Sequence, residues 1–194
     1  RRMLDRVGDE IARATSIVRY APGSAFAAHT HGGGEEFLVL EGIFQDETGD
    51  FTPGSYVRNP PRSHHTPRSE HGCAIFVKLQ QFAPADCEHV RVDVNKLDTL
   101  VDQSRPGVVL TPLFRSTHET VRIETVAPNT VIDVGDNGGY EMFVLEGQLD
   151  GIGQTFRMYS WMRLPPGDAL RLTSGPQGAR AWVKLGHLKK NIPP

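Results

Sequence analysis

The chain has 194 residues, enough for one large or two small domains with cores of their own. Its 21 Lys and Arg nearly balance 23 Asp and Glu, for a net charge of -2, and no basic run alternates with aromatics; this excludes an electrostatic footprint for nucleic acid or an anionic membrane surface. No stretch of about 18 apolar residues is present to span a bilayer, and Cys73 and Cys87 belong to no Cys/His cluster, so both read as buried free thiols.

The first informative segment is Gly23-Ser-Ala-Phe-Ala-Ala-His29-Thr-His31-Gly-Gly-Gly-Glu35. Successive side chains on a strand point to opposite faces, so His29 and His31 share a face roughly 7 Å apart and can grip one ion. The three glycines supply the freedom for a tight reversal, after which Glu35 re-enters on the next strand with its carboxylate toward the imidazoles. By the same alternation Glu36 points away. Phe37 to Leu40 reads as that strand, and Asp46-Glu47-Thr48-Gly49-Asp50 as a hairpin turn, since it lacks the spacing and terminal Glu of a calcium loop.

Ser55 to Asn59 is a further strand. It ends at Pro60-Pro61-Arg62-Ser63-His64-His65, which brings His65 to the same centre while His64 points away. Three neutral imidazoles and one carboxylate suit Zn, Fe, Mn, Ni or Cu and leave coordination positions for water or substrate. Ala74 to Leu79 is the next strand, and Asn95 to Asp102 has room for one short helical turn. The polar Asp102-Gln-Ser-Arg-Pro-Gly107, ending in breakers, is the expected joint between domains. His71, His89, His118 and His187 show no partner spacing and read as structural or solvated.

The chain contains itself twice. Phe37-Leu-Val-Leu-Glu-Gly42 recurs as Met142-Phe-Val-Leu-Glu-Gly147, Tyr56-Val-Arg-Asn-Pro-Pro61 as Trp161-Met-Arg-Leu-Pro-Pro166, and Phe76-Val-Lys-Leu79 as Trp182-Val-Lys-Leu185, at an offset near 105. Each unit is about 90 residues of short strands punctuated by Gly, Pro, Asn and Asp, the pattern of a sandwich or barrel. Residues common to both halves, such as Gly42 and Gly147, Arg58 and Arg163, or Lys78 and Lys184, answer to the fold. Residues found in one half only are candidates for chemistry. The second half puts Val134 at the place of His29, Asp136 at His31, Tyr140 at Glu35 and Leu170 at His65, so one metal is expected, in the first half.

The run Gly23-x5-His29-x-His31-x3-Glu35-x6-Gly42, with Pro60-x-Arg62-x2-His65 behind it, resembles the two motifs of the cupin superfamily. Thr15 to Gly23, Gly34 to Gly42, Tyr56 to Pro61 and Gly72 to Lys78 resemble the cupin domain of ChrR-type anti-sigma factors. The resemblance implies an all-β chain of two tandem jelly-roll barrels, a bicupin: a metal-binding cupin at residues 1–101 and a degenerate one, without ligands, at residues 102–194. It also implies that His29, His31, Glu35 and His65 are the metal ligands, with Zn or Fe foremost and Mn or Ni as alternatives. Arg62 departs from the family's usual Gly in the second motif.

The helical domain with which such anti-sigma factors hold the sigma factor has no counterpart in these residues, so sigma-factor binding is not carried over. Three functions follow as expectations. The first is a sensory or regulatory metal cupin responding to an oxidant or small molecule. The second is a non-haem metal-dependent dioxygenase acting on a small organic substrate, and the third a structural or carbohydrate-binding barrel without metal. Whether the chain is an enzyme, what its ligand is, and whether two chains pair into a homodimer stay open. Residues are expected to precede Arg1, and the expected compartment is the cytosol, with neither nucleic acid nor membrane as partner.

Overall fold

β-Branched and aromatic residues in short runs, broken by turn formers, fold into strands almost throughout. The structure, a computed structural model, describes residues 1–188, in twenty strands and one 3-10 turn. The chain divides into two units, Arg1–Lys96 and a second that begins at Leu97.

In the first unit β1 (Arg2–Val7) and β2 (Arg13–Tyr20) precede the short β3 (Ser24–Ala25) and β4 (His29–Thr30). β5 (Glu35–Gly42), β6 (Phe44–Asp46), β7 (Gly49–Phe51) and β8 (Ser55–Asn59) follow. β9 (His64–His65), β10 (Arg68–Ser69), β11 (Cys73–Leu79) and β12 (Val90–Asp93) complete the unit ahead of a 3-10 turn at Val94–Lys96. One six-stranded antiparallel sheet has the order β1-β2-β11-β5-β8-β12, a four-stranded sheet the order β3-β10-β6-β7, and β4 pairs with β9. Phe37, Val39, Phe44, Phe51, Val57, Ile75 and Val77 fill the interior of this jelly roll. Cys73 is buried with them, whereas Cys87 is exposed, contrary to the expectation of two buried thiols, because it lies in the loop between β11 and β12.

The second unit holds β13 (Leu100–Val101), β14 (Val108–Arg115), β15 (Thr120–Val126) and β16 (Val131–Gly135). It continues with β17 (Tyr140–Gly151), β18 (Gln154–Arg157), β19 (Trp161–Leu164) and β20 (Ala169–Leu185). Its strands join one sheet, β13-β14-β15-β20-β17-β18, with β16 on β20 and β19 on β17. Here β17 runs unbroken through the positions of β5 and β6, and register shifts at Val144/Glu146 and Gly147/Leu149 mark where it bends.

The expected joint is placed differently. Asp102 to Gly107 forms the turn between β13 and β14, with Asp102 N–H donating to Val108 O at 3.0 Å and Arg105 N–H to Asp102 O at 3.2 Å. Polar breakers mark tight turns as well as linkers, and this stretch is the former. The unit boundary lies at Lys96/Leu97, so residues 97–101 go with the second unit.

What the halves share has structural reasons. Gly42 and Gly147 both adopt φ of 68°, and a Cβ there would lie 2.0 Å from Gly72 O and 2.1 Å from Gly178 O respectively. Buried Arg58 pairs with Glu36 at 3.6 Å, and Arg163 with Glu141 at 3.4 Å. No helix among the described residues is long and apolar enough to cross a membrane.

Candidate metal centre

The four residues singled out from the sequence come together at one end of the first jelly roll. β4 and β9 pair antiparallel with His29 opposite His65. His31 falls just past the end of β4, and its N–H donates to Ser63 O at 2.9 Å, which carries the ladder on by one step. The three rings stand edge to face with centroids 4.8 to 5.1 Å apart. One nitrogen from each ring lies within 4.8 Å of the other two, in reach of a single ion. Glu35, at the start of β5, puts Oε2 3.4 Å from His31 Nε2 and 3.5 Å from His65 Nε2.

The glycines between His31 and Glu35 make this return possible. At Gly34 φ is 79°, and a Cβ would lie 2.6 Å from the Phe82 ring, which is held there as Phe82 N–H donates to Gly33 O at 3.2 Å.

His31 and His65 are buried and His29 is exposed, so the centre has one open side. His31 Nε2 and both ring nitrogens of His65 are buried without a hydrogen-bond partner. A buried polar atom left in that state costs about 1–3 kcal/mol. A divalent transition-metal ion on the two Nε2 atoms removes that cost for both, so the residues fit such a group.

The electrostatics of the two buried imidazoles differ, His31 being held neutral while His65 favours its proton. Burial, with the neighbouring His65 and His29, lowers the pKa of His31 to about 4. At His65 burial opposes the proton, but Asp46 and Glu35 outweigh it and raise the pKa. Burial raises the pKa of Glu35 against the pull of His65 and Asn59.

Two supporting residues were not recognised in the sequence. Asp46, buried at the end of β6, has Oδ2 3.5 Å from His65 Nδ1, an electrostatic contact that orients the ring with Nε2 toward the centre. Its carboxyl is held at about pKa 2: burial pushes upward, but His65 and the hydroxyl and N–H of Thr48 prevail. Asn59 on β8 pairs with Glu35 in the sheet, and its Nδ2 donates to Glu35 Oε2 at 3.3 Å. Asp46 does open the hairpin, pairing with Gly49, so its turn chemistry concealed the second role. Subtracting the two halves would have found both residues, since Leu164 stands at Asn59 and Gly151 at Asp46.

Glu36 and His64 lie outside the centre, as alternation requires: buried Glu36 accepts from Tyr56 and pairs with Arg58, and His64 is exposed. His187 is a structural partner of Glu141 at 2.9 Å. A chain of aromatic rings leads from His65 through the core to the surface. Phe44 lies 5.9 Å from its ring, Tyr20 is 5.7 Å from Phe44, and Phe26, 53% exposed, is 5.2 Å from Tyr20.

Arg62 occupies φ of 73°, where the second unit has Gly167 at 87°. A non-glycine residue pays about 1–2 kcal/mol in that region. Its N–H donates to His31 O at 2.8 Å, as Gly167 N–H does to Asp136 O at 3.2 Å.

Residues 1–83 match the family model of the ChrR cupin-like domain. No curated protein matches the chain by sequence. Among solved structures, a candidate dioxygenase from Nostoc punctiforme is similar over 93% of this chain and 72% of its own, with 14% identity and a TM-score of 0.77. A cupin 2 conserved barrel domain protein from Leptotrichia buccalis matches over 94% and 87%, with 11% identity and a TM-score of 0.61. A single-substitution variant of oxalate decarboxylase from Bacillus subtilis matches over 89% and 68%, with 11% identity and a TM-score of 0.65. A further match concerns the Mn(II) centres of that decarboxylase. At these identities the likeness is one of fold.

Proposed function

We propose, from the match of residues 1–83 to the ChrR cupin-like domain, that the first unit is a cupin that holds one divalent transition-metal ion on His29, His31, Glu35 and His65 and serves as a sensory or regulatory centre of ChrR-like type. The observation that carries this reading is the convergence of three imidazoles and a carboxylate inside the unit that matches the ChrR cupin-like domain. When bound, the ion supplies a Lewis-acidic position open to an oxidant or a small anion. The protein's own residues do the rest. Asp46 and Asn59 hold His65 and Glu35 in place, burial keeps His31 neutral, and exposed His29 lies on the side from which a signal molecule enters. The second unit is read as a barrel without ligands.

Elemental analysis of protein purified anaerobically tests the centre, with about one equivalent of Zn or Fe expected per chain. Sensing is tested by exposing that protein to peroxide. Loss of metal or a change in compactness is expected, and an unchanged metal content together with an unchanged hydrodynamic radius removes the sensory reading.

A second reading, a dioxygenase for a small organic substrate, is favoured by the aromatic rings of Phe44, Tyr20 and Phe26 that lead from His65 to the surface and by the likeness to the Nostoc punctiforme candidate dioxygenase. Oxygen uptake with diketones or phenolics that disappears in His31→Ala would establish it; no uptake by the iron-loaded protein would dismiss it.

A further inference from the structure

A cleft of about 390 Å3 opens on the first unit beside the candidate metal centre, and Arg62, Ser63, His64, Asp86, His89 and Arg91 are among its lining residues. Its charge is one-sided. Asp86, the one carboxylate in the lining, accepts from Nη2 of buried Arg58 at 2.7 Å and is neutralised there. The guanidinium groups of Arg62 and Arg91 form no ion pair within 4.0 Å and no hydrogen bond among the described residues; that of Arg91 lies over the Phe51 ring at 5.8 Å and acts on the Asp46 carboxylate only at longer range. Ser63 Oγ is buried with no hydrogen-bond partner.

The duplication shows what is unusual about Arg62. The same turn in the second unit carries Gly167 at φ of 87°, and a Cβ on Gly167 would meet nothing within 4 Å, so conformation rather than space favours glycine there. The first unit places an arginine at this position in spite of a φ of 73°. Backbone strain of this kind persists where the side chain has a task, and this side chain lines the cleft.

We propose that the cleft binds a small multivalent oxyanion, a phosphate ester or a dicarboxylate, between Arg62 and Arg91, with the Ser63 hydroxyl donating to it. The planar fork of a guanidinium matches phosphate and carboxylate oxygens two at a time. The volume exceeds what a bare ion needs and suits a small organic body. The site does not depend on a metal next door, although the two share backbone: His31 N–H donates to Ser63 O, and Arg62 N–H to His31 O.

Calorimetric titration of the full chain with inorganic phosphate and with malonate, at constant ionic strength, tests the proposal. Saturable binding of one equivalent is expected for at least one probe. Arg62→Gly and Arg91→Gln should each weaken it about tenfold or more. Arg62→Gly should melt no lower than the parent, since glycine prefers this conformation, so its loss of binding will not be a loss of fold. No saturable binding of either probe, or equal binding by both variants, overturns the proposal. Binding that persists in Arg62→Gly and vanishes in His31→Ala also overturns it, by placing the anion on a metal instead.

Discussion

At the register where β4 sets His29 against His65, the second unit sets Val134 against Leu170. Where Glu35 pairs with Asn59, Tyr140 pairs with Leu164. The equivalent strand pairs therefore carry His29, His65, Glu35 and Asn59 in one unit and an apolar set in the other, where Val134 and Tyr140 are buried in a core that Leu164 and Leu170 complete. The comparison teaches that the barrel closes at this register with apolar side chains in place of the imidazoles and Glu35, apolar burial being the dominant favourable term in either case. It also shows that the donors do not stand by themselves, because Asn59 and Asp46 give way to Leu164 and Gly151 along with them.

The comparison breaks most visibly if the first unit cannot survive what the second already has. His31→Ala or His65→Ala should reduce metal content to below about a tenth of an equivalent, since either removes one of the four proposed ligands. The far-ultraviolet dichroism of a β protein should remain, as Val134 and Leu170 show the barrel tolerates apolar side chains there. An insoluble or unfolded variant would mean that the first unit, unlike the second, is built around its ion.

The reverse experiment is Val134→His with Leu170→His. Two imidazoles would then enter an apolar core where the one nearby carboxylate by register, Asp136 at the place of His31, already accepts from Gly138 N–H at 2.6 Å; at about 1–3 kcal/mol each, a destabilisation of several kcal/mol is expected by denaturant titration. No metal should be gained, because Tyr140 and Gly151 stand where Glu35 and Asp46 would be needed. A second equivalent of metal in this variant would show that two histidines with Asp136 suffice without counterparts of Glu35 and Asp46.

Asp46→Asn sharpens the comparison at the level of support. Loss of such a partner costs about 10–100-fold in metal affinity, measured by competition with a chelator at pH 8. The pH dependence carries a sign. Because the pKa of His65 is raised above 6.5, its proton competes with a metal up through that raised value, and affinity climbs beyond the ordinary histidine range. Removing Asp46 lowers the pKa of His65, so the midpoint should move to lower pH even as the maximum affinity falls. In the metal-free chain the raised His65 stabilises below 6.5 and this is lost as pH rises through its folded value; Asp46 stabilises above 3.8 and this is lost as pH falls through about 2. A midpoint that stays in place or moves upward would detach Asp46 from His65.

How much of this was legible follows from which interactions are local. The alternation of His29 and His31 and the glycine reversal pointed to the convergence of His29, His31, Glu35 and His65 that the structure has, because strand period and internal repeat are written in the chain itself. Asn59 and Asp46 were missed because sheet register and a hairpin fold bring them to the centre, and neither has donor spacing along the sequence. Asp102 to Gly107 misled for a related reason: a polar breaker run has the same composition whether it links domains or turns a hairpin. The cleft was invisible, since Arg62 and Arg91 lie 29 positions apart and it is the pairing of β12 with β8, Arg91 opposite Val57, that brings Arg91 toward the turn after β8.

The smallest expected effect separates conformation from contact. Arg62→Gly relieves a left-handed backbone worth about 1–2 kcal/mol but gives the unfolded chain more freedom, worth about 0.4–1 kcal/mol, so a net gain of roughly 0.5–1 kcal/mol is expected in the ligand-free protein. Gly167→Ala in the second unit should do the opposite, losing about 1 kcal/mol, because the added Cβ meets no neighbour and only the φ of 87° resists it. Denaturant midpoints of the two variants should therefore move in opposite directions at unchanged slope. If Arg62→Gly is instead destabilised by more than about 1 kcal/mol, the arginine side chain makes a contact that stabilises the fold, and its place at a glycine position would be structural rather than a cost retained for binding.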